Sequence, residues 1–214
     1  MNAEPFQLAE ELGEAERLAA GYAPRALQPA YRALLAFDAV LRRIALSARE
    51  PLPAQIKLAW WREACRRLPE GREHPVLAAL AAHWCGDPLA LAALVDAWEE
   101  FAVGGADILA AADGVARQRA AMLAVCAGGP AVGALAAAYS WTLVELANRA
   151  SDPAVRSAML ESACARPTVP LPRTLRPLAV LAGLARRAGA RGGGPLLGDR
   201  LSPLAAVRLG IFGR

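Results

Sequence analysis

The stretch REPLPAQIKLAWWREACRRL, residues 49–68, decides how the chain is read. Pro51 and Pro53 end the helix before them, because a proline disfavours helical backbone in the residue that precedes it. The segment 54–68 is then a new helix, and a helical turn divides its large side chains between two faces. Leu58, Trp61, Cys65 and Leu68 share one face, while Ile56, Trp60, Glu63 and Arg67 lie on a neighbouring one. Adjacent indoles on such a helix point about 100° apart and demand packing on two sides. One ring is expected in a core and the other at a cavity rim or helix interface.

Outward from this helix the same pattern continues. The 214 residues are 56% hydrophobic but only 6% aromatic, with a mean hydropathy of +0.27. That balance fits tightly packed alanine- and leucine-rich helices rather than a sheet protein or a disordered chain. The expected fold is all-α, one domain over residues 1–214, long enough to bury a core without disulfides or metal. Helical spacing and breakers place helices at about 4–21, 25–48, 54–68, 75–84, 88–103, 107–127 and 131–150, then from 153, and finally at 175–188 and 203–212. Asp152-Pro153 has the form of an N-cap followed by proline at the first helical position. Pro167, Pro170 and Pro172 mark an extended connector. In segment 25–48, Leu27, Tyr31, Leu34, Leu41 and Ala45 form an apolar stripe, and Asp38 falls within it. A carboxylate there has to be paired or face a cavity; Arg42, one turn on, is the nearest partner in sequence.

Charge and cysteine usage exclude several classes. The formal charge is +4, carried almost entirely by arginine, since Lys57 is the only lysine. From Arg166 onward nine arginines face Asp199 alone, whereas the first twenty residues hold five glutamates against Arg17. The basic third suits a solvated surface or contact with anionic lipid; no base-stacking or groove-reading motif accompanies it, so nucleic-acid binding is not expected. Cys65, Cys85, Cys126 and Cys164 are too scattered for a metal site and read as reduced thiols. The acidic N-terminus lacks the pattern of a secretory signal, which points to the cytoplasm. Residues 120–144 are uncharged, but Gly128-Gly129-Pro130 divides them, so two buried helices joined by a turn are expected rather than a membrane span. Gly192-Gly193-Gly194 lacks the lysine of a phosphate-binding loop.

The run YRALLAFDAVLRRIALSAREPLPAQIKLAWWREACRRLPEGREHPVLAAL, residues 31–80, resembles the N-terminal half of squalene/phytoene synthase family proteins. The landmarks are Phe37, Glu50-Pro51, Ile56-Lys57-Leu58, Trp60-Trp61-Arg62 and His74-Pro75-Val76. The bacterial branch that it most resembles includes proteins similar to a mitochondrial assembly factor for respiratory complex I. The resemblance implies an isoprenoid-synthase-like bundle around a central cavity, with Trp60 and Trp61 on its wall and Lys57 and Arg62 near its mouth. It also implies a reaction, the head-to-head joining of farnesyl or geranylgeranyl diphosphates, carried by two DxxxD motifs facing each other on two helices. Carboxylates at i and i+4 share a helical face and can hold Mg ions against a diphosphate leaving group.

This chain departs from that pattern. Counted from Phe37, the first aspartates of the family fall near Arg42, Arg43 and Leu46, and arginine cannot ligate Mg. The second motif falls in or just after 131–150, where only Glu145 and Asp152 are acidic. An active prenyl synthase with Mg as cofactor would need Asp38, Asp96, Glu99 and Glu100 as substitutes; otherwise Asp96 and Glu100 are an exposed acidic face. The expectation is therefore a family-like protein without synthase activity and without a resident cofactor or metal. It would act in binding or respiratory-complex assembly, with an isoprenoid or lipid ligand, a respiratory-complex subunit or the inner face of a membrane as partners. A plain helical protein with a chance match is the third reading.

Overall fold

The computed structural model describes residues 8, 10–47, 50–68, 74–104 and 108–213, and among them every regular element is helical. Ten α-helices follow in order: α1 Glu14–Gly21, α2 Gln28–Ser47, α3 Pro51–Arg66, α4 Pro75–His83, α5 Pro88–Val103, α6 Ile108–Cys126, α7 Ala134–Ala147, α8 Pro153–Ala165, α9 Arg176–Gly189 and α10 Ser202–Phe212. Short 3-10 turns at Arg25–Leu27 and Arg173–Leu175 lead into α2 and α9. The expected all-α class and the order of segments hold.

Local chemistry explains most boundaries. Proline stands in the first turn of α3, α4, α5, α8, α9 and α10, where its missing N–H is no loss. Asp87 and Asp152 cap α5 and α8, each accepting from the N–H two residues on at 2.8 Å. The expected 4–21 helix is interrupted, because Gly13 is extended (φ −67, ψ 166) and α1 starts after it; residues 1–7 and 9 lie outside those described, as do Ala48 and Asp107 at two other expected helix ends. Helix α3 begins at Pro51 rather than Ala54, since the first-turn N–H groups have no intrahelical partner and prolines fit there. Helix α7 begins at Ala134 rather than Ala131 because Gly133 takes a left-handed φ of 85.

Helix α2 is the axis of the bundle. The expected single stripe underestimates it: every residue from 33 to 41 is buried, as in a helix surrounded on all sides. Helices α1, α3, α4, α5 and α6 contact it, and α3 packs along α5. Helix α6 leads to the second group, in which α7 packs on α8 and α9, and α9 on α10. Helix α1 joins the groups by touching α2, α9 and α10. The Tyr31 hydroxyl of α2 adds a tie, donating to the Thr174 carbonyl at 2.6 Å. One hydrophobic cluster draws buried residues from all ten helices. The uncharged run 120–144 is divided between α6 and α7 by a turn, as expected. Among the described residues no helix is long and apolar enough to cross a membrane.

Candidate functional site

Where α2, α6 and α7 meet, the core is polar. Asp38 of α2 is 1% exposed and Arg119 of α6 is 0% exposed. The Arg119 guanidinium grips both Asp38 oxygens, from Nε at 3.0 Å and from Nη2 at 2.7 Å, in the fork geometry that makes such pairs strong. The Trp98 indole N–H of α5 also donates to Asp38, at 3.0 Å. The rest of Arg119 is equally occupied: Nη1 donates to the Thr142 hydroxyl at 3.0 Å and Nη2 to Glu145 at 2.8 Å, both on α7. Its plane lies 4.0 Å from the Trp141 ring centroid.

Arg42, one turn beyond Asp38, extends this network outward. It donates to Glu16 of α1 at 3.0 Å and forms an ion pair with Glu145. Glu16, Arg42, Glu145, Arg119 and Asp38 thus alternate in sign along one chain of contacts. Burial alone would lower both guanidinium pKa values. The carboxylates around them outweigh it and raise both, Glu145, Asp38 and Glu16 acting on Arg42, and Asp38 and Glu145 on Arg119. The arginines therefore stay charged. With its acceptors taken by arginine and tryptophan, the network offers no free carboxylate pair to a metal. Among the described residues no group of three or more metal-ligating side chains occurs.

The pairing read from sequence for Asp38 is thereby corrected. Asp38 bonds to Arg119, 81 residues away, and Arg42 to Glu16 and Glu145, because α2 turns the two side chains toward different neighbours. Arg43 points outward to Glu11 at 2.7 Å.

The tandem tryptophans divide as expected. Trp61 is buried, with ring centroids 5.7 Å from Phe37 and 4.8 Å from His74, whereas Trp60 is half exposed and meets Trp61 edge-on at 5.2 Å. His74 caps α4, its Nδ1 accepting from the Val76 N–H at 3.2 Å, and burial lowers its pKa. Lys57 is exposed, and Arg62 lies on the outer seam between α3 and α5, ion-paired with Asp96 and Glu99. Arg62, Asp96 and Glu99 line a shallow surface recess with Glu100 and Val103 rather than the mouth of a central cavity. The substitute ligands considered for an active synthase are therefore split, with Asp38 inside and Asp96, Glu99 and Glu100 on the outer side of α5. A groove of about 670 Å³ lies elsewhere, between α7, α9, α10 and the 166–172 connector.

Sequence reasoning missed Arg119, Glu16, Trp98, Trp141 and Thr142. A signal for the first existed: Ala112, Val115, Arg119, Met122 and Cys126 recur at helical spacing, and every one of them is buried. An arginine in one apolar stripe is the natural partner of an aspartate in another.

Residues 14–103, the span of α1 to α5, match the family model described as squalene/phytoene synthase. Over that stretch, about two fifths of the chain, the protein is squalene/phytoene-synthase-like. No curated protein and no solved structure matches it.

Proposed function

We propose that this squalene/phytoene-synthase-like protein has no prenyl synthase activity and works by binding, in the assembly of a respiratory complex. One observation carries the catalytic half of the reading. Arg42 of α2 is among the residues to which the resemblance points for the first aspartate-rich motif, Glu145 of α7 is one of the two acids in the region of the second, and they form an ion pair with each other. In a synthase the two motifs face across a space that receives Mg ions and diphosphate. The guanidinium groups of Arg42 and Arg119 support this reading: they lie between α2 and α7 and satisfy Glu16, Glu145 and Asp38. A Mg ion entering would have to displace these guanidinium groups from the carboxylates they already hold. Ionisation of a prenyl diphosphate without clustered carboxylates leaves its leaving group unsupported. The assembly half rests on the likeness of residues 31–80 to the branch that also departs from these motifs.

The decisive experiment incubates folded protein with Mg and farnesyl or geranylgeranyl diphosphate, following diphosphate release and product. No turnover above background is expected; turnover would overturn the catalytic half. For the assembly half, deletion of the gene should lower the amount of assembled complex I on native gels and leave isoprenoid products unchanged. Unchanged complex I would remove that role.

A further inference from the structure

Helix α10 is apolar on both sides, yet only one side is covered. Ser202, Ala206, Leu209 and Gly210 are buried toward α9 and α1. The opposite side carries Leu204, Val207, Ile211 and Phe212, exposed at 66%, 44%, 58% and 61%, with Leu201 just before them at 57%. Arg208 is the one charged residue of the helix and sits among them. A helix that is hydrophobic all round is expected where something covers both faces. Helix α10 has 11 residues, far fewer than the roughly 20 needed to cross a bilayer. The same apolar surface continues inward through the 670 Å³ groove, floored by Ala179, Ala182 and Gly183 and edged by Leu204 and Arg208.

Charge identifies what fits this face. Between 166 and 213 the only acidic residue is Asp199, already engaged by Arg187 and Arg191. Arg200 and Arg208 are exposed and make no ion pair among the described residues. A second copy docking through the same face would bring the two Arg208 side chains toward each other about the two-fold axis, with no acid to offset them. An anionic bilayer satisfies both features: its acyl boundary takes leucine, isoleucine and phenylalanine, and its phosphates take the guanidinium groups of Arg208, reaching up from among them, and of Arg200 just before them.

We infer that α10 is a membrane-docking helix, lying flat on an anionic lipid surface with Leu204, Ile211 and Phe212 inserted and Arg200 and Arg208 at the headgroups. This does not depend on whether the central network is catalytically inert.

The test is flotation of the full chain with phosphatidylcholine vesicles with or without phosphatidylglycerol. The wild type should float with the anionic vesicles at low salt and dissociate as salt rises. Arg208→Glu, and separately the double variant Leu204→Ser/Ile211→Ser, should each weaken binding by about tenfold or more. Both change exposed side chains, and unchanged circular dichroism melting would confirm that they stay folded. Ile56→Ser, on the exposed side of α3, should bind like wild type. In Phe212→Trp the added emission should shift to the blue on anionic vesicles. Failure to float at low salt, or equal flotation by the α10 variants, overturns the proposal. So does a dimer in light scattering that Leu204→Ser/Ile211→Ser dissociates, because the occupant would then be a second copy.

Discussion

At the scale of single residues, the chain's unusual feature is an arginine with no exposure held by an aspartate that is equally buried. Such a pair need not be more stable than a well-packed apolar core, since both charges lose their water. Removing one partner is a different matter, because the other is stranded. Arg119→Met, which leaves Asp38 charged with only the Trp98 N–H, is expected to cost about 3–5 kcal/mol. Asp38→Asn should destabilise in the same direction, and thermal melting of the double variant should recover part of the loss. A melting temperature unmoved by either single change would refute the network as drawn. The tryptophans give the contrasting case. Trp61→Ala opens a cavity between Phe37 and His74 and should cost about 3–5 kcal/mol. Trp60→Ala, half exposed, should stay within about 1 kcal/mol by urea denaturation. Equal effects would mean that the rings do not divide between core and rim.

Among the elements, α10 is held where its backbone lies directly against the Tyr22 ring. A methyl group on Gly210 would collide with the Tyr22 ring at the end of α1, so only glycine allows this approach. Gly210→Ala is expected to push α10 outward and cost about 1–3 kcal/mol of stability. Amide exchange should then rise in α10 and at the end of α1, and exchange like wild type would show that the contact is not needed. The end of α8 is secured by other means: the Arg186 side chain of α9 donates to the carbonyls of Ala163, Cys164 and Arg166, at 3.4, 3.3 and 2.7 Å, which would otherwise lack helical partners. Helix boundaries were legible in sequence where a capping aspartate precedes a proline, as at Asp87-Pro88 and Asp152-Pro153, but not at Pro51, which opens α3 instead of preceding it. They were misjudged at Gly13 and Gly133, where a backbone dihedral angle ends a helix that the apolar pattern would continue.

For the whole molecule, the two helix groups share α2, α6 and α1 and a single hydrophobic cluster. The polar network lies on this shared ground, with Glu16 on α1, Asp38 and Arg42 on α2, Arg119 on α6 and Glu145 on α7. Neither group can then unfold without exposing the other's buried charges, and a single cooperative transition is expected in urea. Cysteine labelling checks it independently. Burial raises the Cys65 thiol of α3 to about 12 and the Cys126 thiol, at the end of α6 where it turns toward the second group, to about 11, so both should stay unlabelled at neutral pH and react together on unfolding. Labelling of one well before the other would show that the groups unfold separately.

Composition, helical periodicity and proline placement by themselves determined the all-α class, the order of the helices, the split of residues 120–144 and the division between Trp60 and Trp61. Each follows from chemistry a few residues apart, which the linear chain displays. The pairing of Asp38 with Arg119 over 81 residues, the meeting of Arg42 with Glu145 and the bare face of α10 were decided only by the tertiary structure. A helix pattern shows that a charge points inward or that a face is apolar. Which charge waits on the other side, and whether a neighbour covers the face, depends on how the helices cross.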